Sequence, residues 1–224
     1  MLTLSDVHKT LGGAPVLAGV NLTAAPSDIV VVSGPNGAGK STLLRVMCGL
    51  LDANRGEVSI CGHSLRREPR KAKGMLGYVP DGLEALPDLL ASELVALVRT
   101  LKPGPDGGPA SLDEEWKERL GVTALWNQRV GALSFGQRKR VALLAALCGS
   151  PWLLLLDEPT NGLDAQGVAL VRQLLAQRQQ AQRVTVLSTN DPGFSSAIPG
   201  RHCGLEHGRL VQLPPAPVPD RPPS

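Results

Sequence analysis

The sequence predicts a single α/β domain with a mainly parallel β-sheet and an inserted block of helices. Short apolar runs of strand length alternate with helical segments near both ends of the chain. Between them, the residues from about 83 to 150 show helical periodicity and no strand pattern. The 224 residues are enough to bury the core of one domain with such a subdivision.

The first 32 residues are predicted to form strands separated by turns. Leu2, Leu4 and Val7 open a strand that we expect at the edge of a sheet, and Gly12-Gly13 is the turn after it. Residues 29–32 are a β-branched run of the kind that forms a strand buried on both faces. These residues are therefore expected to supply the first strands of the core.

The later segments follow the alternation of strand and helix that is typical of a parallel sheet. Apolar residues at helical spacing predict a helix over 41–51, and a second helix is predicted over 165–182. Short apolar runs predict strands over 57–60, 75–79, 153–156 and 184–188. Alternating strands and helices favour parallel pairing, because each crossover returns the chain to the same end of the sheet.

The inserted block is predicted to be a helical subdomain. Ser92 is expected to cap one helix, and Ser111 with Glu114 forms the capping box expected at the start of another. We therefore divide one domain over 1–212 into a core, 1–82 and 151–212, and a helical subdomain, about 83–150. Residues 213–224 are rich in proline and are expected to be a disordered tail.

A phosphate-binding loop is the strongest motif in the sequence. Between a predicted strand and a predicted helix, the pattern G-x-x-x-x-G-K-S runs over Gly34, Pro35, Asn36, Gly37, Ala38, Gly39, Lys40 and Ser41. Glycines let successive backbone N–H groups turn toward phosphate oxygens, and the helix start adds the positive end of its dipole. Lys40 is expected to neutralise the β- and γ-phosphates, and the Ser41 hydroxyl to ligate Mg²⁺.

Two acidic residues, Asp157 and Glu158, directly follow the apolar run 153–156. The last residues of a buried parallel strand lie at the carboxyl edge of the sheet, where ligands bind. Asp157 is therefore expected to hold Mg²⁺, mostly through water, and Glu158 to polarise a water for in-line attack on the γ-phosphorus. Together with the loop, this pair predicts hydrolysis of a bound Mg-nucleotide.

Two further motifs flank the acidic pair: Leu133-Ser134-Phe135-Gly136-Gln137 before it and Asn161-Gly162-Leu163-Asp164 after it. The first resembles the LSGGQ signature of the ATP-binding cassette (ABC) transporter family, with Phe135 in place of the first glycine. The second resembles the D-loop of that family. The phosphate loop, extended to Thr42, also has the sequence usual in the family, and the resemblance covers roughly residues 1–212.

The resemblance implies a fold, cofactors and partners. The fold is α/β, a P-loop NTPase core (mainly parallel sheet with an antiparallel β edge) with an inserted α-helical subdomain, and the cofactors are ATP and Mg²⁺. Two nucleotide-binding domains, in a homodimer or a heterodimer, pack head to tail. Ser134, Gly136 and Gln137 of one then contact the ATP held by the other. The residues agree, because a capped helix start after Ser134 offers a second anion site that one chain does not need.

Three positions depart from the family pattern. Asp81 stands where a glutamine contacts Mg²⁺ and the attacking water; it can still ligate Mg²⁺ but adds negative charge. Asn190 stands at the switch histidine and can bond a γ-phosphate oxygen, but it carries no proton at neutral pH. Leu11 replaces the aromatic that stacks on adenine and leaves only an apolar contact.

These departures leave two explanations open. Hydrolysis through Glu158 is expected to be slow, because losing one positioning contact costs on the order of 10²–10³ in rate. Alternatively, the chain is the weaker half of a heterodimer or mainly a nucleotide-dependent clamp.

Composition excludes some partners. The net charge is only +3, from 23 basic and 20 acidic residues, and aromatic residues make up 3%, so nucleic acid is not expected. No apolar run approaches the roughly 18 residues that cross a bilayer, so any membrane-spanning part must belong to another chain. The expected location is cytoplasmic, peripheral at the inner face of the cell membrane.

The leading functional hypothesis is the ATP-binding and ATP-hydrolysing subunit of a separately encoded membrane permease. An exporter is expected, because the helical subdomain is short and no importer-specific extension is visible in the sequence. The alternatives are a soluble ABC ATPase that serves a non-membrane assembly partner and a weakly hydrolysing, nucleotide-dependent regulatory module.

Overall fold

The computed structural model describes residues 1–82, 86–102 and 110–214, with the side chains of all of these except 110–113. The strands are β1 (Leu2–Leu11), β2 (Ala14–Ala24), β3 (Ile29–Ser33), β4 (Arg55–Ile60), β5 (His63–Ser64), β6 (Leu76–Val79), β7 (Leu153–Asp157), β8 (Val184–Ser188), β9 (Arg201–Glu206) and β10 (Arg209–Gln212). The α-helices are α1 (Lys40–Met47), α2 (Pro69–Gly74), α3 (Ala91–Leu101), α4 (Ala110–Arg119), α5 (Phe135–Leu147), α6 (Ala165–Gln180) and α7 (Pro192–Ser196). Two single 3₁₀ turns, Thr123–Leu125 and Val130–Ala132, lie between α4 and α5.

A six-stranded sheet forms the centre of the fold, in the order β10-β9-β3-β8-β7-β6. All neighbouring strands pair in parallel except β10, which runs antiparallel to β9. Strands β3, β7 and β8 are apolar on both faces because the sheet separates two clusters of buried side chains; Val31 and Leu154 belong to one, Val30 and Leu153 to the other. The predicted α/β class with a mainly parallel sheet is confirmed.

The antiparallel part is a second sheet of four strands, in the order β2-β1-β4-β5. Strand β1 is interior to it, since Leu2 lies opposite Ala24 of β2 on one side and Ile60 of β4 on the other. The prediction of β1 as an edge strand was therefore wrong. The alternating apolar residues of β1 show that one of its faces is buried. An interior strand and an edge strand can both have such a face, so the pattern does not distinguish them.

Several boundaries differ from the sequence prediction. Helix α1 ends at Met47 rather than at 51, because Gly49 adopts φ 69° in the left-handed region and stops the helix. The hairpin of β9 and β10 was not predicted, since Gly204 and polar residues dilute its apolar pattern. A turn at His207-Gly208, where both residues have positive φ, was the available signal.

The described residues between 86 and 150 form helices and 3₁₀ turns, as predicted. Within this described part, β-pairing is limited to one isolated bridge between Leu90 and Arg129. Ser92 was wrongly predicted as a cap: α3 begins at Ala91, and the Glu93 carboxylate accepts the Leu90 N–H at 2.8 Å. Helix α4 begins at Ala110, but the side chain of Ser111 lies outside the described residues. The division of the chain at about 83 and 150 stays a prediction.

Helix α5 crosses the central sheet at very short range. A Cβ placed on Gly77 of β6 would lie 2.1 Å from the carbonyl oxygen of Ala146 in α5 and 3.0 Å from Leu154 Cδ1. The backbone of α5 therefore contacts β6 directly, and only glycine fits at this point. Among the described helices, none is long and apolar enough to cross a membrane.

Gly77→Ala is expected to lower the free energy of unfolding by about 1–3 kcal/mol, because the added methyl group forces α5 away from β6. Urea denaturation measures the change. The matched control is Gly74→Ala at the end of α2, where a Cβ meets nothing within 4 Å. That control should leave stability unchanged or raise it by up to about 1 kcal/mol. Equal stability of Gly77→Ala and the wild type would contradict the close approach.

Candidate active site

The predicted phosphate loop lies between β3 and α1, with Gly39 at the N-cap of the helix. Gly39 has φ 100°, and a Cβ there would lie 2.8 Å from Val16 Cγ1 in β2. Both the backbone conformation and the close approach of β2 thus require glycine. Gly39 has no side chain to cap the helix, which leaves the first N–H groups of α1 for an anion.

Lys40 is the buried cation of this loop, with 6% of its surface exposed. Its ammonium donates to the carbonyl oxygens of Gly34 (2.9 Å) and Pro35 (3.3 Å). It also donates to Asn190 Oδ1 at 2.5 Å and lies 3.9 Å from Glu158 Oε1. The loop, the end of β7 and the end of β8 therefore meet around one positive charge.

Asp157 is held by two hydroxyl groups. Its Oδ1 accepts from Ser41 Oγ at 3.0 Å and from Ser188 Oγ at 2.7 Å, and the residue is 1% exposed. Its other oxygen, Oδ2, is buried with no hydrogen-bond partner. A hydroxyl beside a carboxylate with an unpartnered oxygen is a donor set that fits Mg²⁺, which prefers oxygen ligands. The structure thus brings together the two residues predicted to hold the metal.

Glu158 follows Asp157 at φ 45°, in the left-handed region that L-residues rarely adopt. Its N–H donates to Ser188, and its Oε2 accepts the N–H of Asn190 at 3.0 Å. Its Oε1 is buried and has no hydrogen-bond partner. Burial raises the pKa of Glu158, while the bond from Asn190 and the charge of Lys40 oppose that rise. The hydrogen bond from Asn190 to Oε2 orients the carboxylate, while Oε1 has no hydrogen bond and can accept a proton.

Two of the three departures from the family pattern, Asn190 and Asp81, have definite hydrogen-bond partners. Besides binding Lys40, the Asn190 amide donates to Asn36 Oδ1 at 2.6 Å, so it closes over the loop. Asp81 is half exposed; its Oδ1 accepts from Asn161 Nδ2 at 3.0 Å and lies 3.6 Å from Lys139 Nζ. The Asp81 carboxylate is therefore engaged by the segment after Glu158, and its predicted role at Mg²⁺ stays a prediction.

Leu11 ends β1 before the Gly12-Gly13 turn and is 41% exposed. It offers an apolar surface to a ligand, and its contact with adenine stays a prediction. The remaining predicted residues of the loop lie between β3 and α1 or in the first turn of α1: Gly34, Pro35, Asn36, Gly37, Ala38 and Thr42.

The signature segment begins α5 as predicted. Ser134 is the N-cap: its Oγ accepts the Gln137 N–H at 3.2 Å, and Gln137 Oε1 accepts the Ser134 N–H at 2.9 Å. Phe135 remains 39% exposed and lies across Gly162, where a Cβ would be 2.2 Å from its Cδ1. A Cβ placed on Gly136 would lie 2.3 Å from the carbonyl oxygen of Gly162, so these two backbones also approach closely. The signature and the D-loop segment thus form one surface.

Two polar residues of the site were not predicted. Ser188 bonds Asp157, and Lys139 donates to backbone carbonyls at the ends of β6 and β7. A serine at the end of a buried strand was a usable signal for the first. A lysine two residues before the apolar run of α5 was a weaker signal for the second.

The comparisons with known proteins agree with this geometry. The family model of the ABC transporter matches residues 17–161. The glutamate/aspartate import ATP-binding protein GltL of Escherichia coli K12 is 30% identical over 217 residues, which are 95% of this chain and 90% of that protein. The phosphonates import ATP-binding protein PhnC of Trichormus variabilis is 37% identical over 209 residues, 88% of this chain and 84% of that protein.

A solved structure extends the similarity to the fold and the ligand state. It is a dimeric, post-hydrolysis form of the ATP-binding cassette MJ0796 bound to ADP and Pi, with a TM-score of 0.81 at 25% identity, covering 95% of this chain and 98% of that one.

Fold and site therefore define an ATP-hydrolysing α/β domain with a phosphate loop. The chain belongs to the ABC transporter family, as an ATP-binding subunit that hydrolyses ATP. GltL and PhnC are import ATP-binding proteins, so the expectation of an exporter is not supported.

Ser134→Ala is expected to lower the free energy of unfolding by about 1 kcal/mol, because α5 loses its capping box. Urea denaturation checks this value. Ser196→Ala, at the exposed end of α7, is the matched control and should change stability by less than about 0.5 kcal/mol. An unchanged midpoint for Ser134→Ala would show that the cap does not stabilise the helix.

Proposed function

We propose that this chain energises a separately encoded membrane permease, paired with a second nucleotide-binding domain, and hydrolyses ATP at the site around Lys40. One observation carries the assignment of the site: Asp157 is joined to Ser41 and Ser188, with Glu158 beside Lys40. The similarity to GltL and PhnC, which are import ATP-binding proteins, supports a permease partner, and the dimeric form of MJ0796 supports a second domain.

ATP binding is proposed to rest on the loop and the first turn of α1. Lys40 and the N–H groups that follow Gly34 bind the phosphates, and Leu11 offers an apolar contact to the base. Ser41 and Asp157 hold Mg²⁺, which when bound neutralises the charge that develops on the phosphate oxygens. The unpartnered Oδ2 of Asp157 supports this role, since a buried carboxylate oxygen is rarely left without a partner.

Hydrolysis is proposed to depend on Glu158 as the group that orients the attacking water and accepts its proton. The raised pKa makes the carboxylate a stronger base than an exposed glutamate, and the Asn190 N–H fixes its orientation. The base form is lost as the pH falls through this raised pKa, so activity should decline on the acid side. Asn190 contributes position rather than proton transfer, because an amide does not titrate.

The second half of the site is proposed to come from the paired domain. Ser134, Gly136 and Gln137 begin a capped helix whose N-terminus attracts anions, and they would bind the ATP held by the partner. With a permease as partner, the chain acts at the cytoplasmic face of the membrane.

A second candidate is a nucleotide-dependent regulatory module with slow turnover. Asn190 favours it, because its amide oxygen accepts a hydrogen bond from the Lys40 ammonium and the amide cannot carry a proton. Asp81 favours it as well, because its carboxylate contacts Asn161 and Lys139 in place of the glutamine that the family uses at Mg²⁺.

Glu158→Gln is expected to retain Mg-ATP binding and to lower the rate of phosphate release on the order of 10²–10⁴-fold, the usual contribution of a general base.

Lys40→Ala is expected to weaken Mg-ATP binding on the order of 10–100-fold, because it removes charge-assisted bonds to phosphate. Calorimetry measures binding, and a coupled phosphate assay measures turnover.

Lys71→Ala is the control for both measurements, since Lys71 is exposed and pairs with Glu68 on the surface of α2. It should match the wild type. Equal phosphate release by the wild type and Glu158→Gln would exclude Glu158 as the base. If Mg-ATP gave the wild type neither heat on titration nor a rise in melting temperature, the nucleotide site would be excluded.

Purification of the tagged chain from detergent-solubilised membranes is expected to recover a multi-span membrane protein in a fixed ratio. Mass spectrometry of the complex identifies the partner and shows whether the paired domain is a second copy. The same purification from the membrane-free fraction is the control. Recovery of a non-membrane protein alone, in a fixed ratio, would favour the assembly ATPase over the transporter subunit.

A further inference from the structure

Lys139 is a buried cation in the fifth position of α5, with 3% of its side chain exposed. It lies at the inner side of the helix that begins with the signature segment. The ends of β6 and β7 pack against its ammonium.

The ammonium contacts backbone carbonyls of two separate segments. Its Nζ donates to the carbonyls of Pro80 at 3.1 Å and Asp81 at 2.6 Å, directly after β6. It also contacts the carbonyls of Asp157 at 3.4 Å and Glu158 at 3.1 Å. Four acceptors share three N–H donors, so the position of this nitrogen is fixed from both sides.

Negative charge surrounds the same nitrogen. Burial lowers the pKa of Lys139, while the charges of Asp81, Asp157 and Glu158 oppose that fall. The Asp81 carboxylate is the nearest of these, at 3.6 Å, and the ring of Phe135 lies 5.5 Å away. A buried charge is costly unless it is paired and hydrogen-bonded, and an apolar side chain of similar length would fill this space at lower cost.

We propose that Lys139 is a positioning residue for ATP hydrolysis. By binding the carbonyls of Asp81 and Glu158 together, it sets the Glu158 carboxylate relative to the helix that carries Ser134. It also neutralises Asp81, which otherwise places an unbalanced carboxylate beside the site. This inference rests on the proposed role of Glu158 as the base.

The consequence for the pair of domains is a short mechanical link. The N-terminus of α5 binds the partner's ATP in the proposed function, and the fifth residue of the same helix holds the backbone of this chain's own Glu158. A shift of α5 by 1 Å would stretch hydrogen bonds of about 3 Å beyond the range in which they stabilise. Binding of the partner's ATP by the signature segment of this chain is thus coupled to the position of this chain's own Glu158.

Three variants of the full chain separate positioning from packing: Lys139→Met, Lys139→Gln and the double variant Lys139→Gln/Asp81→Asn. Methionine fills a similar volume but donates no hydrogen bond, whereas glutamine restores two donors without charge. Lys71→Met is the matched control, because it removes an exposed lysine outside the site.

Lys139→Met is expected to lower kcat by on the order of 10²-fold, the effect of a misplaced catalytic group. The KM for ATP should stay within about threefold, because Lys40 and the loop still bind the phosphates. Lys139→Gln should recover part of kcat, and adding Asp81→Asn should raise it further, since no carboxylate then needs a charged partner. Lys71→Met should match the wild type.

A packing role predicts the opposite order, with methionine the best replacement and no gain from Asp81→Asn; that order would overturn the proposal. A kcat for Lys139→Met within about twofold of wild type would overturn it too. Thermal melting shows which variants are folded. If Lys139→Met does not fold, the comparison of Lys139→Gln with Lys139→Gln/Asp81→Asn decides between positioning and packing. Glu158→Gln, assayed in parallel, keeps the two failures apart: full activity there refutes the base, whereas an unimpaired Lys139→Met refutes only the positioning.

Discussion

The parallel pairing of β3, β8 and β7 is the constraint on which the site depends. These neighbouring strands run in one direction, so their carboxyl ends meet at one edge of the sheet. The loop with Lys40 follows β3, Asp157 ends β7 with Glu158 directly after it, and Ser188 ends β8 two residues before Asn190. Side chains as far apart in sequence as Lys40 and Asn190 are therefore within hydrogen-bond distance. Slippage of one strand by a residue would turn these side chains to the other face.

Charge balance at this edge explains which atoms are left for a ligand. Lys40 is buried among carbonyl and amide oxygens with Glu158 nearby, and Asp157 is bonded to two hydroxyl groups. Each carboxylate nevertheless keeps one buried oxygen without a hydrogen-bond partner. Because such atoms cost free energy in a folded protein, their presence on both residues is understandable where a metal ion and a water are to bind. The site is complete in its protein contacts and open at two oxygens.

The helices and the central sheet meet through contacts that allow little movement. Helix α5 lies against Gly77 with no room for a side chain, Phe135 covers Gly162, and Lys139 joins α5 to the carbonyls after β6 and β7. The contact of Gly77 with Ala146 joins backbone to backbone and cannot adjust by a rotamer change, so a displacement of α5 toward the sheet would move β6. Asp81 belongs to this junction in the structure, since its carboxylate faces Asn161 and Lys139.

Features that depend on residues close together in the chain could be predicted from the sequence. Glycine spacing before Lys40 predicted the loop, and the apolar run before Asp157 predicted a buried strand with acids at its end. Three features became visible only in the folded domain: Ser188 bonds Asp157, Lys139 binds carbonyls of two segments, and β1 is an interior strand rather than an edge strand. A pattern along the chain reports which face of a residue's own element is buried. It does not report which distant segment packs there, because that depends on strand order and register set by the whole core.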